Sequence, residues 1–207
     1  KRDVVLIKGS GVNINKLKKI SINKNQTVLM PARVVKEKGV IEFTKASTNL
    51  KKKFPKWNFV VAGALDYRKR SKFKKNEIMF FKNSKSGSFL GYVKNIKTYY
   101  KKAAIVCLPS YREGFSKVFQ EAAAMGIPIV TTNVIGCKDS ILPKKTGELC
   151  KAKDFKSLQN KLEYLIINKR LRDTYGKNAR KYAEKSFNLD NVIIKNIKQY
   201  NILIDNE

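Results

Sequence analysis

The sequence predicts a doubly wound α/β domain: a parallel sheet with helices on both faces. Three observations carry that prediction. Short, nearly continuous apolar runs recur through the first two thirds of the 207-residue chain. The intervals between them are long enough for helices, and the last third changes to helical spacing. Runs without apolar–polar alternation suit strands covered on both sides, which is the situation inside a parallel sheet.

The strand-like runs are "DVVLI" (3–7), "TVLMPA" (27–32), "NFVVAG" (58–63), "EIMFF" (77–81), "AAIVCLP" (103–109) and "IPIV" (127–130). After Gly39, the residues Val40, Phe43, Ser47 and Leu50 mark one face of a helix. A short basic helix is expected after "ALDY", and another through "IKTYYKK". Pro109 ends its strand and "SYREGF" turns. Ser116 can then cap a helix whose body is "KVFQEAAAM". Gly126 supplies the left-handed residue beyond that helix, and Pro128 prevents its continuation. Further on, Asp154 is a good N-cap, with Leu158, Leu162, Leu165 and Ile166 following at helix spacing. "LRDTYGKNARKYAEKSF" reads as a second helix with Gly176 inside it. Val192, Ile193, Ile197, Tyr200 and Ile204 form an apolar stripe on a third. No repeat or Pro-rich linker interrupts the chain. It reads as one domain over 1–207, trimmed by helices over about 154–204.

Composition limits the chemistry. Forty-five basic and sixteen acidic residues give a formal charge of +29, which attracts polyanions such as nucleic acid, an anionic membrane surface or phosphorylated substrates. The lysines are spread over separate segments, so charge alone names no partner. A nucleic-acid-binding module is the alternative from another class. It needs a basic face interleaved with exposed aromatics. The aromatics here fall mostly in runs that read as buried, and nucleic acid is not expected. Histidine is absent, so acid–base work would fall to carboxylates, Lys or Tyr. Cys107, Cys137 and Cys150 form no CxxC pair and read as reduced, packed thiols of a cytosolic protein. No apolar run approaches the roughly 18 residues of a spanning helix. "KRDVVLIKGS" lacks the features of a signal peptide. Without an initiating Met, the sequence reads as a piece of a longer protein.

One stretch gathers chemistry. "YREGFSKVFQEAAAMGIPIV" (111–130) holds Glu113 and Glu121, eight positions apart. Ligands of doubly wound sheets bind at the carboxyl ends of strands, against helix N-termini. Glu113, Gly114, Phe115 and Ser116 lie at that place. The free N–H groups and positive dipole end there favour an anion such as a diphosphate. Gly114 lets the backbone approach closely. Glu121, just past the first helical turn, offers a bidentate acceptor for vicinal hydroxyls, and Glu113 could meet another hydroxylated group. Ala122, Ala123 and Ala124 let the helix press on the sheet. "TVLMPARVVKEKGVIEF" adds Arg33 and Lys38 at another strand's carboxyl end, two cations that suit a pyrophosphate.

These residues resemble the C-terminal, donor-binding lobe of retaining glycosyltransferases of the GT-B architecture, family four (glycosyl transferases group 1). "EGFSKVFQE" resembles that family's E-x7-E motif, and "PARVVKEKG" its Arg…Lys-Gly segment. "SFLGYVKNI" resembles the turn and strand before the nucleobase pocket. "PIVTTNVIGCKDSI" resembles its Gly-containing loop with an acidic residue, and "LRDTYGKNARKYAEKSF" its closing helix. The resemblance implies a Rossmann-like lobe in which Glu121 holds the ribose of a nucleotide-sugar and Glu113 contacts the transferred sugar. The amides of Gly114 and Phe115 would face sugar and phosphates. Arg33 and Lys38 would bind the diphosphate and stabilise charge on the departing nucleotide, and Val93 would lie near the base. It implies no metal and no cofactor, a donor that is a UDP-sugar, and transfer of a hexosyl or N-acetylhexosaminyl group. The acceptor would be a saccharide or lipid-linked, in cell-surface polysaccharide or glycan synthesis. The protein would be cytoplasmic, peripheral at the membrane face. Ala32 stands where the family usually has Gly, and Asp139 where Glu is common. "VLIKGSGVNI" resembles the segment after the interdomain linker, so the acceptor-binding N-terminal lobe lies outside this sequence. The lobe alone is expected to bind donor without transferring it. A nucleotide-sugar epimerase or phosphorylase of the same architecture is the alternative within the fold.

Overall fold

Six strands form one all-parallel sheet: β1 (Thr27–Pro31), β2 (Asn58–Ala62), β3 (Ser88–Phe89), β4 (Ile105–Leu108), β5 (Ile129–Thr132) and β6 (Gly147–Cys150), in the order β3-β2-β1-β4-β5-β6. The protein is seen in a computed structural model that describes residues 5–21, 25–66 and 87–204. The central strands are apolar on both sides because both sides are covered. Val28, Leu29, Met30, Ile105, Val106 and Cys107 are all fully buried.

Among the described residues, six helices surround the sheet: α1 (Val40–Lys53), α2 (Lys97–Tyr100), α3 (Lys117–Ala124), α4 (Phe155–Ile167), α5 (Lys169–Ser186) and α6 (Leu189–Ile204). From β1 the chain moves through α1 to β2, towards one edge. From β4 it moves through α3 to β5, towards the other. Right-handed crossovers therefore place α1 and α3 on opposite faces. On one face α1 packs against α4, and on the other α3 packs against α5. The helical apolar faces read from the sequence are the buried ones: Val40, Phe43, Ser47 and Leu50 on α1, and Leu158, Leu162, Leu165 and Ile166 on α4.

The caps follow the sequence with one change. The Asp154 carboxylate accepts the Ser157 N–H at 2.9 Å. Gly126 has φ 72, with its N–H on Ala123 O and the Ile127 N–H on Ala122 O, the paired bonds of a Schellman ending. Ser116 occupies the N-cap of α3, but its hydroxyl caps nothing. Its carbonyl instead accepts the Phe119 and Gln120 N–H groups.

Two elements depart from expectation. The described part of the first run, residues 5–7, is irregular, with Val5 and Leu6 exposed. An apolar run becomes a strand only beside a ladder partner. This segment docks further on, where the Val12 N–H donates to Phe187 O and Val12 O accepts from Leu189. β6 was not expected, because "GELC" carries a glutamate. Glu148 is buried there, taking Lys161 Nζ and the Tyr175 hydroxyl at 2.8 Å each, so its charge is compensated. The run at 77–81 and the basic helix after "ALDY" lie outside the described residues. All three cysteines are free and buried, as the sequence suggested. Of the stripe on α6, only Val192 is buried within this chain; Ile193, Ile197, Tyr200 and Ile204 are exposed.

Candidate functional site at the sheet's switch point

Strand order reverses between β1 and β4, so the loops leaving their carboxyl ends diverge to opposite faces and open a crevice. The β1 loop carries Arg33 and Lys38; the β4 loop carries Glu113 to Ser116. Hydrogen bonds lace the two together. Glu37 O accepts the Tyr111 N–H at 2.7 Å and the Ser110 hydroxyl at 3.0 Å. Gly39, at φ 73, lies so close to the second loop that a Cβ there would sit 2.1 Å from Pro109 O. A third loop, after β5, closes behind them: a Cβ on Gly136 would sit 2.2 Å from Glu113 O. That loop is held in shape by the Asp139 carboxylate, which accepts the Gly136 N–H at 3.0 Å.

Lys38 and Glu113 meet directly. The Lys38 ammonium donates to Glu113 Oε1 as an ion pair, with both side chains mostly shielded from solvent. The sequence placed them in one crevice without foreseeing that they would neutralise one another. Arg33 is placed differently. Its guanidinium pairs with Asp66 Oδ2 at 3.0 Å while its side chain stays 61% exposed. It is therefore open to solvent at the crevice's β2 side. Because the guanidinium is largely in water, the pair is screened on that side and Arg33 can exchange partners.

Glu121 lies one helical span deeper, half-buried on α3. The Tyr100 hydroxyl donates to its Oε2 at 3.2 Å. Burial raises the Glu121 carboxyl above the ordinary carboxylate range; the Tyr100 hydrogen bond, Lys117 and Lys97 pull it back towards the ionised form. Tyr100, almost wholly buried, is pushed well above the usual phenol value by burial first and by Glu121 second. It is consequently a permanent donor. The result is a carboxylate with one oxygen engaged from below and two cations nearby.

The remaining candidates divide. Gly114 is exposed, has an ordinary φ, and a Cβ there would meet nothing within 4 Å. Neither backbone strain nor internal packing accounts for a glycine here, and the space above it is free. Phe115 is half-buried and packs edge-on against Phe187 at 5.4 Å, so its ring is structural while its backbone borders the crevice. Ser116 is buried at the start of α3. Val93 sits half-buried in the loop after β3, packed on the core.

Two partners escaped the sequence reading. Tyr100 precedes Glu121 by twenty-one residues in an ordinary-looking "TYYKK", and only the packing of α2 beside α3 brings its hydroxyl to the carboxylate. Asp66, the partner of Arg33, stands after β2, and strand adjacency is not visible in the sequence order. Among the described residues, no three His, Cys, Asp or Glu side chains converge to hold a metal ion, and no helix is long and apolar enough to cross a membrane.

With this geometry, an all-parallel sheet bearing paired carboxylates and cations at its switch point, the fold is the C-terminal lobe of the GT-B architecture. The chain belongs to the glycosyl transferases group 1 family, whose model matches residues 13–182. It is 30% identical over 166 residues to the capsular polysaccharide biosynthesis glycosyltransferase CapM of Staphylococcus aureus, covering 80% of this chain and 43% of that protein. It is 32% identical over 219 residues to an N,N'-diacetylbacillosaminyl-diphospho-undecaprenol alpha-1,3-N-acetylgalactosaminyltransferase of Campylobacter jejuni, covering 98% of this chain and 55% of that protein. The chain thus spans about half the length of these curated relatives. Its fold matches the C-terminal domain of a group 1 glycosyl transferase (LpcC) from Francisella tularensis, with a TM-score of 0.75 and 24% identity, over 86% of this chain and all of that one. It also matches HepE of Anabaena, in complex with UDP and glucose, with a TM-score of 0.80 and 20% identity, over 92% of this chain and 55% of that one.

Proposed function

We propose that this chain is the donor-binding lobe of a retaining glycosyltransferase that takes a UDP-sugar. The observation that carries the reading is the convergence of the Lys38–Glu113 pair and the Tyr100-supported Glu121 around the N-terminus of α3. Glu121 accepts two vicinal ribose hydroxyls through its free oxygen and one shared with Tyr100. The diphosphate lies over Gly114, where the surface is open, against the positive end of α3. Lys38 and Arg33 neutralise the charge that develops on the departing nucleotide. Each leaves a carboxylate partner to do so, and Glu113, released from Lys38, accepts a hydroxyl of the transferred sugar. No metal-dependent step is needed in this scheme, because the two cations and the helix end serve the diphosphate. The backbone near Val93 borders the base.

The acceptor class rests on the relatives. One is named for a diphospho-undecaprenol substrate and another for capsular polysaccharide synthesis. We infer a saccharide or lipid-linked acceptor in cell-surface polysaccharide synthesis, supplied to the crevice by the rest of a longer protein. Work on such an acceptor would hold the protein at the cytoplasmic membrane face. The transferred group is a hexosyl or N-acetylhexosaminyl unit. This lobe alone is expected to bind donor without transfer.

Titration calorimetry with UDP-, GDP- and ADP-sugars tests the reading. A UDP-sugar should bind, and Glu121→Ala or Arg33→Ala should each lower affinity about tenfold or more, since each removes a charged hydrogen-bonding partner worth about 1.5–3 kcal/mol. No binding by any of the three, or mutants that bind as the wild type does, rejects it.

A further inference from the structure

A second basic site lies apart from the donor crevice. An open groove of about 490 Å3 runs between the 15–20 segment and α2, lined by Lys16, Lys18, Lys19, Lys97 and Lys101. Among the described residues, no acidic side chain lines it. Among the described residues none of these five ammonium groups sits in an ion pair. Its floor is apolar, formed by Leu17, Ile20 and Met125, and Asn15, Asn95 and Thr98 add neutral hydrogen-bonding groups at the rim. None of the residues assigned to donor binding takes part. The nearest link is Lys97, which lies within electrostatic reach of Glu121.

This arrangement differs from the chain's general basicity. Scattered surface lysines point into bulk water, where salt screens them within about 10 Å. Five lysines around one concavity raise the local potential together, and low-dielectric walls focus it. A volume in the range of small-molecule sites, about 300–1,000 Å3, exceeds what a bare ion needs. The groove therefore matches an anion carried on a larger body: charge against the ammonium groups, hydroxyls against the amides, and an apolar portion against Leu17 and Met125.

We propose that this groove is an anion site for a phosphate ester, separate from the donor crevice. A phosphate ester reaches it as a lipid headgroup or as a free small molecule, and the two sources are separable by experiment. The decisive variant is Lys16→Glu/Lys18→Glu/Lys101→Glu, all exposed positions whose side chains hold no hydrogen bond or ion pair among the described residues. Its charge-matched control is Lys45→Glu/Lys52→Glu/Lys156→Glu, on the opposite, α1–α4 face. The 207-residue chain is floated with phosphatidylcholine vesicles containing 30% phosphatidylglycerol, about one anionic lipid in three. In parallel, glycerol 1-phosphate is titrated into 15N-labelled chain and the amides of Leu17, Asn95 and Thr98 are followed.

If the groove holds headgroups, the groove variant loses vesicle binding at least tenfold while the control loses less than threefold. If it holds a free phosphate ester, the three amides shift saturably in the wild type and not in the groove variant, and vesicle binding falls equally in both variants. The proposal is overturned if both variants lose vesicle binding equally and the groove amides do not shift. Should the glutamate variant fail to fold, Lys16→Gln/Lys18→Gln/Lys101→Gln replaces it against the matching glutamine control, with the same criteria.

Discussion

Gly39→Ala tests whether the close seat between the two site loops is what shapes the crevice. Gly39 has φ 73, and a Cβ there would lie 2.1 Å from Pro109 O, where real contacts stay above 3.0 Å. An alanine in the left-handed region costs about 1–2 kcal/mol. Forcing the Pro109 carbonyl back by roughly 1 Å adds about 1–3 kcal/mol of overpacking. The sum, roughly 2–5 kcal/mol, lies within the 5–15 kcal/mol stability of ordinary domains, so the variant still folds. With a urea m-value near 3 kcal/mol/M, the midpoint should fall by about 0.7–1.7 M. Gly91→Ala supplies the control: φ is 65 there, yet a Cβ would meet nothing within 4 Å. It carries only the conformational cost, about 0.3–0.7 M at the same m-value. Because Gly39 directly follows Lys38, the forced separation also moves that ammonium relative to Glu113, and UDP affinity should fall at least tenfold. Equal midpoints for the two variants would refute the argument, since the 39–109 contact would then carry no strain.

Glu121→Gln should leave the apo chain as stable as wild type, or more so, at pH 7, while lowering UDP affinity about tenfold. Burial holds the Glu121 carboxyl above its ordinary value of 4.5, so wild-type stability is lost as pH rises through that raised value; melts across the acid range should show the two curves meet once Glu121 is protonated. Tyr100→Phe removes the donor to Glu121 Oε2 and should weaken UDP binding about threefold to tenfold by calorimetry, with a rise in the apparent Glu121 titration point. Lys38→Met and Glu113→Gln should be non-additive in urea unfolding, with a coupling of about 0.5–3 kcal/mol in a double-mutant cycle; additivity would show that the pair contributes nothing. Arg172→Met should cost about 3 kcal/mol in urea unfolding. The buried guanidinium donates to Leu165 O and Ile166 O and stacks on Trp57 at 5.1 Å, and the carbonyls lose their donor.

The sequence was most legible where burial is two-sided or a cap is local. Runs such as "TVLMP" and "IVCL" are apolar at every position because both their faces are covered, and Asp154 and Gly126 act on atoms three or four residues away. The site was legible in outline for the same reason: Glu113, Ser116 and Glu121 sit on one short loop-and-helix unit. Arg33 and Lys38 could be assigned to the same crevice because strand ends converge at a switch point. What the sequence withheld was pairing across strands. The Arg33–Asp66 and Tyr100–Glu121 contacts depend on which strands and helices become neighbours. β6 was hidden because its buried glutamate looks polar until Lys161 and Tyr175 are seen to compensate it. Residues 5–7 have a strand's composition and no ladder to join.

The docking of the 9–20 segment has a consequence for how the protein is made. Val12 exchanges backbone bonds with Phe187 and Leu189, and Arg180 donates to Leu17 O at 2.6 Å across 163 residues of sequence. In vectorial synthesis Val12 and Leu17 emerge more than 160 residues ahead of the Arg180, Phe187 and Leu189 groups that hold them. At roughly 5–20 residues per second, these side chains wait on the order of 10–30 s beside an unfinished domain. This segment is thus made well before it can settle, and it docks only once the α5–α6 junction has followed it.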